Sequence, residues 1–174
     1  AYPLPGAAVP FLVLVPDTAS EKNPVPVLFC IPGSDQTKEE LAAETSPDLA
    51  QPPVPQPGSN AMACPYVKQG WAAVVVDNAG TGEEGDAEHA AGRSSHDYEN
   101  LARSLLEMDW SWLGYTSYMD QCVLDWVKTR PWVQKNRIIL SGFSLGTEPM
   151  MVLGVLNPDI FAFVYNDFLC RTLE

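Results

Sequence analysis

The segment Trp71 to Asp77, WAAVVVD, is a nearly unbroken apolar run, and it constrains the fold more than any other stretch. A strand that is apolar at almost every position has no face to offer water. It must lie inside a sheet that is covered on both sides. Further strands are expected at Val9–Val15 (VPFLVLV), Val25–Ile31 (VPVLFCI), Arg137–Leu140 (RIIL) and Ile160–Tyr165 (IFAFVY). The first two are joined by the short turn-rich DTASEKNP, which fits an antiparallel pair at a sheet edge, with Pro10 and Pro26 at edge or entry positions.

Helical stretches fall between the later strands. TKEELAAE is one, Met62–Gln69 before Gly70 is a second, and Tyr98–Met108 is a third. Ser117–Arg130 places Met119, Val123, Trp126 and Val127 at helical spacing, with Pro131 just past its end. Thr147–Leu156 precedes Asn157-Pro158. After the opening pair, strands alternate with helices, so the expected class is an open α/β sheet, mostly parallel, with an antiparallel N-terminal edge.

The length of 174 residues allows one domain with a real core and not two. Residues 1–174 are therefore read as a single unit interrupted twice, by a proline-rich excursion over 46–59 and an acidic, glycine-rich loop over 78–97. Ten Lys and Arg against 22 Asp and Glu give a formal net charge of −12. Such a surface repels nucleic acid and anionic lipid heads, and no apolar run is long enough to insert in a membrane. Neutral substrates meet no such barrier. Cys30, Cys64, Cys122 and Cys170 form no CxxC pair and are read as buried small hydrophobes. No spacing suggests a structural metal or a cofactor.

The stretch Gly142-Phe143-Ser144-Leu145-Gly146 carries the chemistry. An apolar strand precedes it and an apolar helix follows, the setting of a strand-turn-helix nucleophile elbow. The turn is so tight that side chains flanking the serine would clash, and glycines at 142 and 146 remove them. Ser144 is the candidate nucleophile. The amide of Leu145 is the first candidate oxyanion donor, at a helix N-terminus whose dipole favours negative charge. A second donor is expected from the loop after Ile31, where the amide of Gly33 or Ser34 would face the oxyanion. The same Pro32-Gly33 pair also suits an ordinary strand-ending turn.

The stretches VLFCIPGSDQTKEEL, VKQGWAAVVVDNAGTGEEGD, LLEMDWSWLGYTSYMDQCVLDW and RIILSGFSLGTEPMMVLGVLNPDIFAFVYNDFLC together resemble the α/β-hydrolases of the acetyl-xylan-esterase branch, some described as SusD/RagB-associated esterase-like proteins. The resemblance runs from about Val25 to the end of the chain, and GFSLGTEPMM is its most specific part. It implies carboxylic-ester hydrolysis, with a glycan acetyl ester as substrate, often in a periplasmic or secreted setting. The broader family often carries His-Gly-Gly after the oxyanion strand, where this chain has Pro32-Gly33-Ser34.

An acyl-transfer serine needs a base and an acid that orients it, which in this fold follow the serine in the order acid, then histidine. No histidine follows Ser144; the two in the chain, His89 and His96, lie upstream in the acidic loop and break that order. Asp167, just past the last strand on the same rim, is a candidate to line the pocket or serve as the acid. The expectation is a nucleophile half of a longer domain, inactive alone, with an open sheet edge through which copies could self-associate. A non-catalytic binding or scaffold domain on the same fold is the alternative.

Two clusters stay open. Asp77, Glu83, Glu84 and Asp86 lack calcium-loop spacing and read as a solvated acidic loop. Trp110, Trp112 and Tyr115 could stack on a sugar ring, although aromatics at this density more often fill a core.

Overall fold

In a computed structural model that describes residues 8–34, 36–43, 61–85 and 98–167, five strands form one sheet. They are β1 (Phe11–Leu14), β2 (Val25–Ile31), β3 (Ala72–Val76), β4 (Val133–Phe143) and β5 (Ala162–Asn166), in the spatial order β1-β3-β2-β4-β5. The β3, β2, β4 and β5 strands pair in parallel, and β1 joins the edge antiparallel. The helices are α1 (Lys38–Ala42), α2 (Cys64–Val67), α3 (Tyr98–Glu107), α4 (Trp112–Lys128) and α5 (Thr147–Leu156).

The apolar runs sit where their composition demands. Every residue of β3 is buried, and so are all of β2 except Pro26. Alternate residues serve two cores. Val27, Phe29, Val74, Val76, Ile138 and Leu140 face Met119, Val123 and Leu124 of α4 and Met150 and Leu153 of α5. On the other face Leu28, Cys30, Ala73, Val75 and Ile139 meet Leu41 and Ala42 of α1 and the residues around α2.

One expectation is corrected. The strands β1 and β2 do not form a hairpin; β1 pairs with β3, with Phe11 opposite Val76 and Leu14 opposite Ala73. A β2 buried on both faces stabilises the sheet most at its centre, flanked by β3 and β4, and this leaves only the outer side of β3 for β1. The antiparallel edge is therefore real but has a different partner. Pro26 lies near the entry of β2, where the register with β4 shifts between Val25 and Val27, so its missing N–H costs the ladder little.

The α4 helix begins five residues before its expected start at Ser117. Ser111 caps it, the side-chain oxygen accepting from the Gly114 amide at 3.0 Å. Conversely, the Met62–Gln69 stretch gives only the single turn of α2. The excursion at 46–59 and most of the loop at 78–97, including Asp86, His89 and His96, lie outside the described residues. No helix among the described residues is long and apolar enough to cross a membrane. Of the cysteines, Cys30 is buried as expected, whereas Cys64 and Cys122 are only half-buried, and all three are free thiols. Cys170 lies outside the described residues.

Losing a serine N-cap leaves a helix amide without its partner. Ser111→Ala is expected to lower unfolding stability by about 1 kcal/mol, read as a shift of the urea midpoint at unchanged slope.

Candidate active site

The parallel strands end on one rim, and β4 there runs directly into Ser144. Ser144 has a φ of +45°, in the left-handed region that L-residues other than glycine seldom occupy. A 3₁₀ turn, Ser144–Gly146, follows and leads into α5. The Thr147 hydroxyl donates to the Ser144 carbonyl at 2.8 Å and fixes the turn from within.

The flanking glycines are demanded by contact. A Cβ on Gly142 would stand 2.6 Å from the Gly146 carbonyl oxygen. One on Gly146 would strike the Pro32 carbonyl oxygen, and that of Ile31 at 2.5 Å. The start of the α5 segment is thus packed backbone against backbone on the end of β2. This contact brings Ser144 and Leu145 together with the Pro32-Gly33-Ser34 loop. The first amides of a helical segment lack intrahelical partners, and its dipole favours negative charge beside them. A half-buried serine on such a turn can therefore place an attacking oxygen next to an anion-stabilising end.

The loop after β2 is tightly held. Asn78, fully buried at the end of β3, donates through Nδ2 to the Pro32 carbonyl at 2.8 Å and to that of Gly33 at 3.4 Å. The Tyr98 hydroxyl donates to the Ser34 carbonyl at 3.0 Å. The Gly33 amide donates to Gln36 Oε1 at 3.2 Å, so it is engaged within its own loop. From the other side, Asn166 Nδ2 donates to Ser141 Oγ at 3.0 Å and to the Gly142 carbonyl at 3.3 Å, bracing β4 just before the elbow. Asp167 is exposed with a φ of +62°, one residue past the register pair Phe143 and Asn166. It follows the last residue of β5 directly. Neither His89 nor His96 is among the described residues.

The acidic cluster differs from its expectation as a solvated loop. Asp77 is 1% exposed and Lys38 2%, and Lys38 Nζ lies 2.7 Å from Asp77 Oδ2, 2.8 Å from Glu39 and 2.6 Å from Glu83. Asp77 Oδ1 also accepts from the Lys38 amide at 2.7 Å, tying α1 to the end of β3. A lysine thus supplies the positive charge among these carboxylates. Burial pushes the Asp77 carboxyl up to about 6 against the opposing pull of Lys38. Burial also opposes the charge of Lys38, but Asp77 and its neighbouring carboxylates outweigh it and hold the ammonium above the usual lysine range. Burial, then Asp77, raises Glu84.

Sequence places Asp77 in an acidic cluster but does not pair it with Lys38, and it does not reveal the braces Asn78, Tyr98 and Asn166. Asp77 closing a wholly apolar run was the one available signal, because a carboxylate in that position needs a buried partner.

Fold and site together define an α/β-hydrolase-type domain with a serine on its strand-to-helix turn. The chain belongs to the Abhydrolase family, whose profile matches residues 1–174. It is similar to a Bacteroides fragilis protein named as a candidate acetyl xylan esterase, with 50% identity, 98% of this chain and 44% of that one covered, and a TM-score of 0.87. The structure of the acetyl xylan esterase from Paenibacillus sp. R4 shares the fold at 17% identity and a TM-score of 0.57, over 88% of this chain and 44% of that one. Acetyl xylan esterase 1 from Thermoanaerobacterium sp. JW/SL YS485 does so at 17% identity and 0.58, over 86% and 40%. The chain spans less than half the length of each of these three. No curated protein matches it.

Two outcomes follow from the geometry. Gly146→Ala forces α5 off the end of β2, and a loss of about 2 kcal/mol or more is expected by urea unfolding. Asp77 has a folded-state pKa of about 6 against an ordinary 3.8, so the folded form binds its proton more tightly. That contribution is fully present at low pH and is lost as pH rises through 6. The stability of the wild type relative to Asp77→Asn is therefore expected to grow as pH falls from 7 to 4, measured by chemical unfolding at each pH.

Proposed function

We propose that this chain is the nucleophile-bearing part of a serine carboxylic-ester hydrolase that removes acetyl groups from a glycan. The observation that carries the reading is the left-handed Ser144 between two glycines that no other residue could replace without a backbone clash. Strain of this kind costs on the order of 1 kcal/mol or more and is characteristic of functional sites. The likeness to the Bacteroides fragilis protein at 50% identity supports the choice of ester and glycan.

In this reading Ser144 Oγ attacks the acetyl carbonyl as a base removes its proton. The tetrahedral oxyanion then accepts from the Leu145 amide and from a second donor in the loop after β2. With the Gly33 amide engaged by Gln36, the Ser34 amide is the stronger candidate for that second donor. Collapse of the intermediate expels the sugar hydroxyl, and water completes the cycle by the same route. No histidine follows Ser144, and the chain spans 44% of its 50%-identical relative. The base and the acid are accordingly assigned to residues beyond these 174, with Asp167 a rim group near the pocket. Such a segment would also cover the apolar surface that α5 and β5 expose, where Val155 is 85% and Tyr165 44% accessible. Without it, the same face and the outer edge of β5 would be where copies of the chain associate.

The test compares full-length wild type with Ser144→Ala on p-nitrophenyl acetate and on acetylated xylo-oligosaccharides. Loss of turnover by about 10⁴-fold or more is expected. Unchanged turnover ends the nucleophile assignment. Residues 1–174 alone should show near-background hydrolysis; robust turnover there would mean that His89 or His96 supplies the base.

A further inference from the structure

The N-terminal end of α4 carries a cavity of about 530 Å³ lined by Asp109, Trp110, Ser111, Gly114, Tyr115 and Tyr118. That volume lies within the range of small-molecule sites. Trp110 is 38% exposed and Tyr118 42%, aromatic surface that the core does not absorb. The rings of Trp110 and Tyr115 have centroids 5.8 Å apart and are inclined at 45°, so they make a corner rather than a stack. Tyr118 follows Tyr115 by one helical turn on the same side. Gly114 leaves the wall beside them without a side chain.

The corner is anchored. Asp109 takes a φ of +60° at the end of α3, with its amide bonded to the Leu106 carbonyl at 3.1 Å. The Trp110 amide bonds back to the Leu105 carbonyl at 2.9 Å. This paired closure of a helix fixes the backbone of Trp110 before any ligand arrives. The Ser111 cap on α4 holds the other side.

Trp112, the residue after the capping Ser111, ties this end of α4 to the loops at the ends of β3 and β2. Trp112 Nε1 donates to the Ala79 carbonyl at 2.9 Å, and its ring meets Tyr98 edge-on at 5.4 Å. Tyr98 in turn donates to the Ser34 carbonyl. Burial first, and then the Glu84 carboxylate in the loop after β3, raise the Tyr115 phenol above its ordinary value.

A sugar ring presents an apolar C–H face and a rim of hydroxyls. Two aromatic rings meeting at an angle match the face, and Asp109 and Ser111 can bond the rim. A carboxylate at the margin and a formal net charge of −12 disfavour an anionic sugar. We infer that this cavity holds a neutral sugar residue of the glycan, beside the site of bond cleavage; the choice of a glycan rests on the ester-hydrolase reading above.

The experiment titrates xylotriose, cellotriose and mannotriose, with trigalacturonic acid as a charged control, into the full-length protein by calorimetry. Each is repeated on Ser144→Ala, Trp110→Ala, Trp110→Phe and Tyr118→Ala, with urea midpoints measured in parallel. Saturable binding of at least one neutral trisaccharide is expected, weakened about tenfold by Trp110→Ala or Tyr118→Ala. Trp110→Phe should retain most of the affinity, and Ser144→Ala should bind as wild type. Absence of saturable binding by every neutral trisaccharide overturns the inference, as does binding that both ring deletions leave unchanged or tighter binding of the charged control. Sugar binding is read without turnover. Lost binding with Ser144-dependent hydrolysis intact would therefore sink the subsite alone, and intact binding with Ser144-independent hydrolysis would sink the esterase reading alone.

Discussion

The approach of Gly146 to the Ile31 and Pro32 carbonyls is the contact on which the rest of the arrangement depends. It is a backbone-to-backbone contact, so no side chain can adjust to keep it. It determines how far α5 sits from β2, and so where the turn at Ser144 stands relative to the loop after β2. Asn78 holds that loop from β3 and Asn166 holds β4 from β5. Two amides on flanking strands thus clamp the two halves of one rim. The amide nitrogens of buried Asn78 and half-buried Asn166 both donate to this rim, and these bonds set the site.

Electrostatics supports the same loop from below. The chain is strongly acidic, yet one lysine has been drawn into a place where three carboxylates surround it. Lys38 and Asp77 would each be costly to bury alone, and they satisfy one another, with Glu39 beside them and Glu83 reaching in from the exposed side. The consequence is positional. The α1 helix follows the loop at Pro32–Ser34, and Asp77 pins its first residue to the end of β3 through both the amide and the ammonium of Lys38.

Much of this was legible in the sequence, for identifiable reasons. The bounds of β2 and of α5 coincide with their expectation because each is an apolar block ended by Pro-Gly or Asn-Pro. The elbow was legible because glycine spacing and the surrounding strand and helix agree. The partner of β1 was not, because a short loop between two apolar runs says nothing of a later strand that inserts between them. The start of α4 was hidden by Gly114 at the third helical position, where a capping box would show Glu or Gln. Asn78 and Asn166 were invisible because their bonds span 46 and 25 residues, and local pattern carries no such information.

The left-handed backbone at Ser144 sets stability against chemistry at a single residue. Glycine or asparagine would occupy that conformation with less strain, so the fold by itself gives no reason for a serine there. Only a demand for its hydroxyl would keep it. On the proposed reading, position 144 holds a residue the backbone alone does not favour, so in a relative that keeps this fold without the reaction it is the rim position expected to change first, toward residues tolerant of a positive φ.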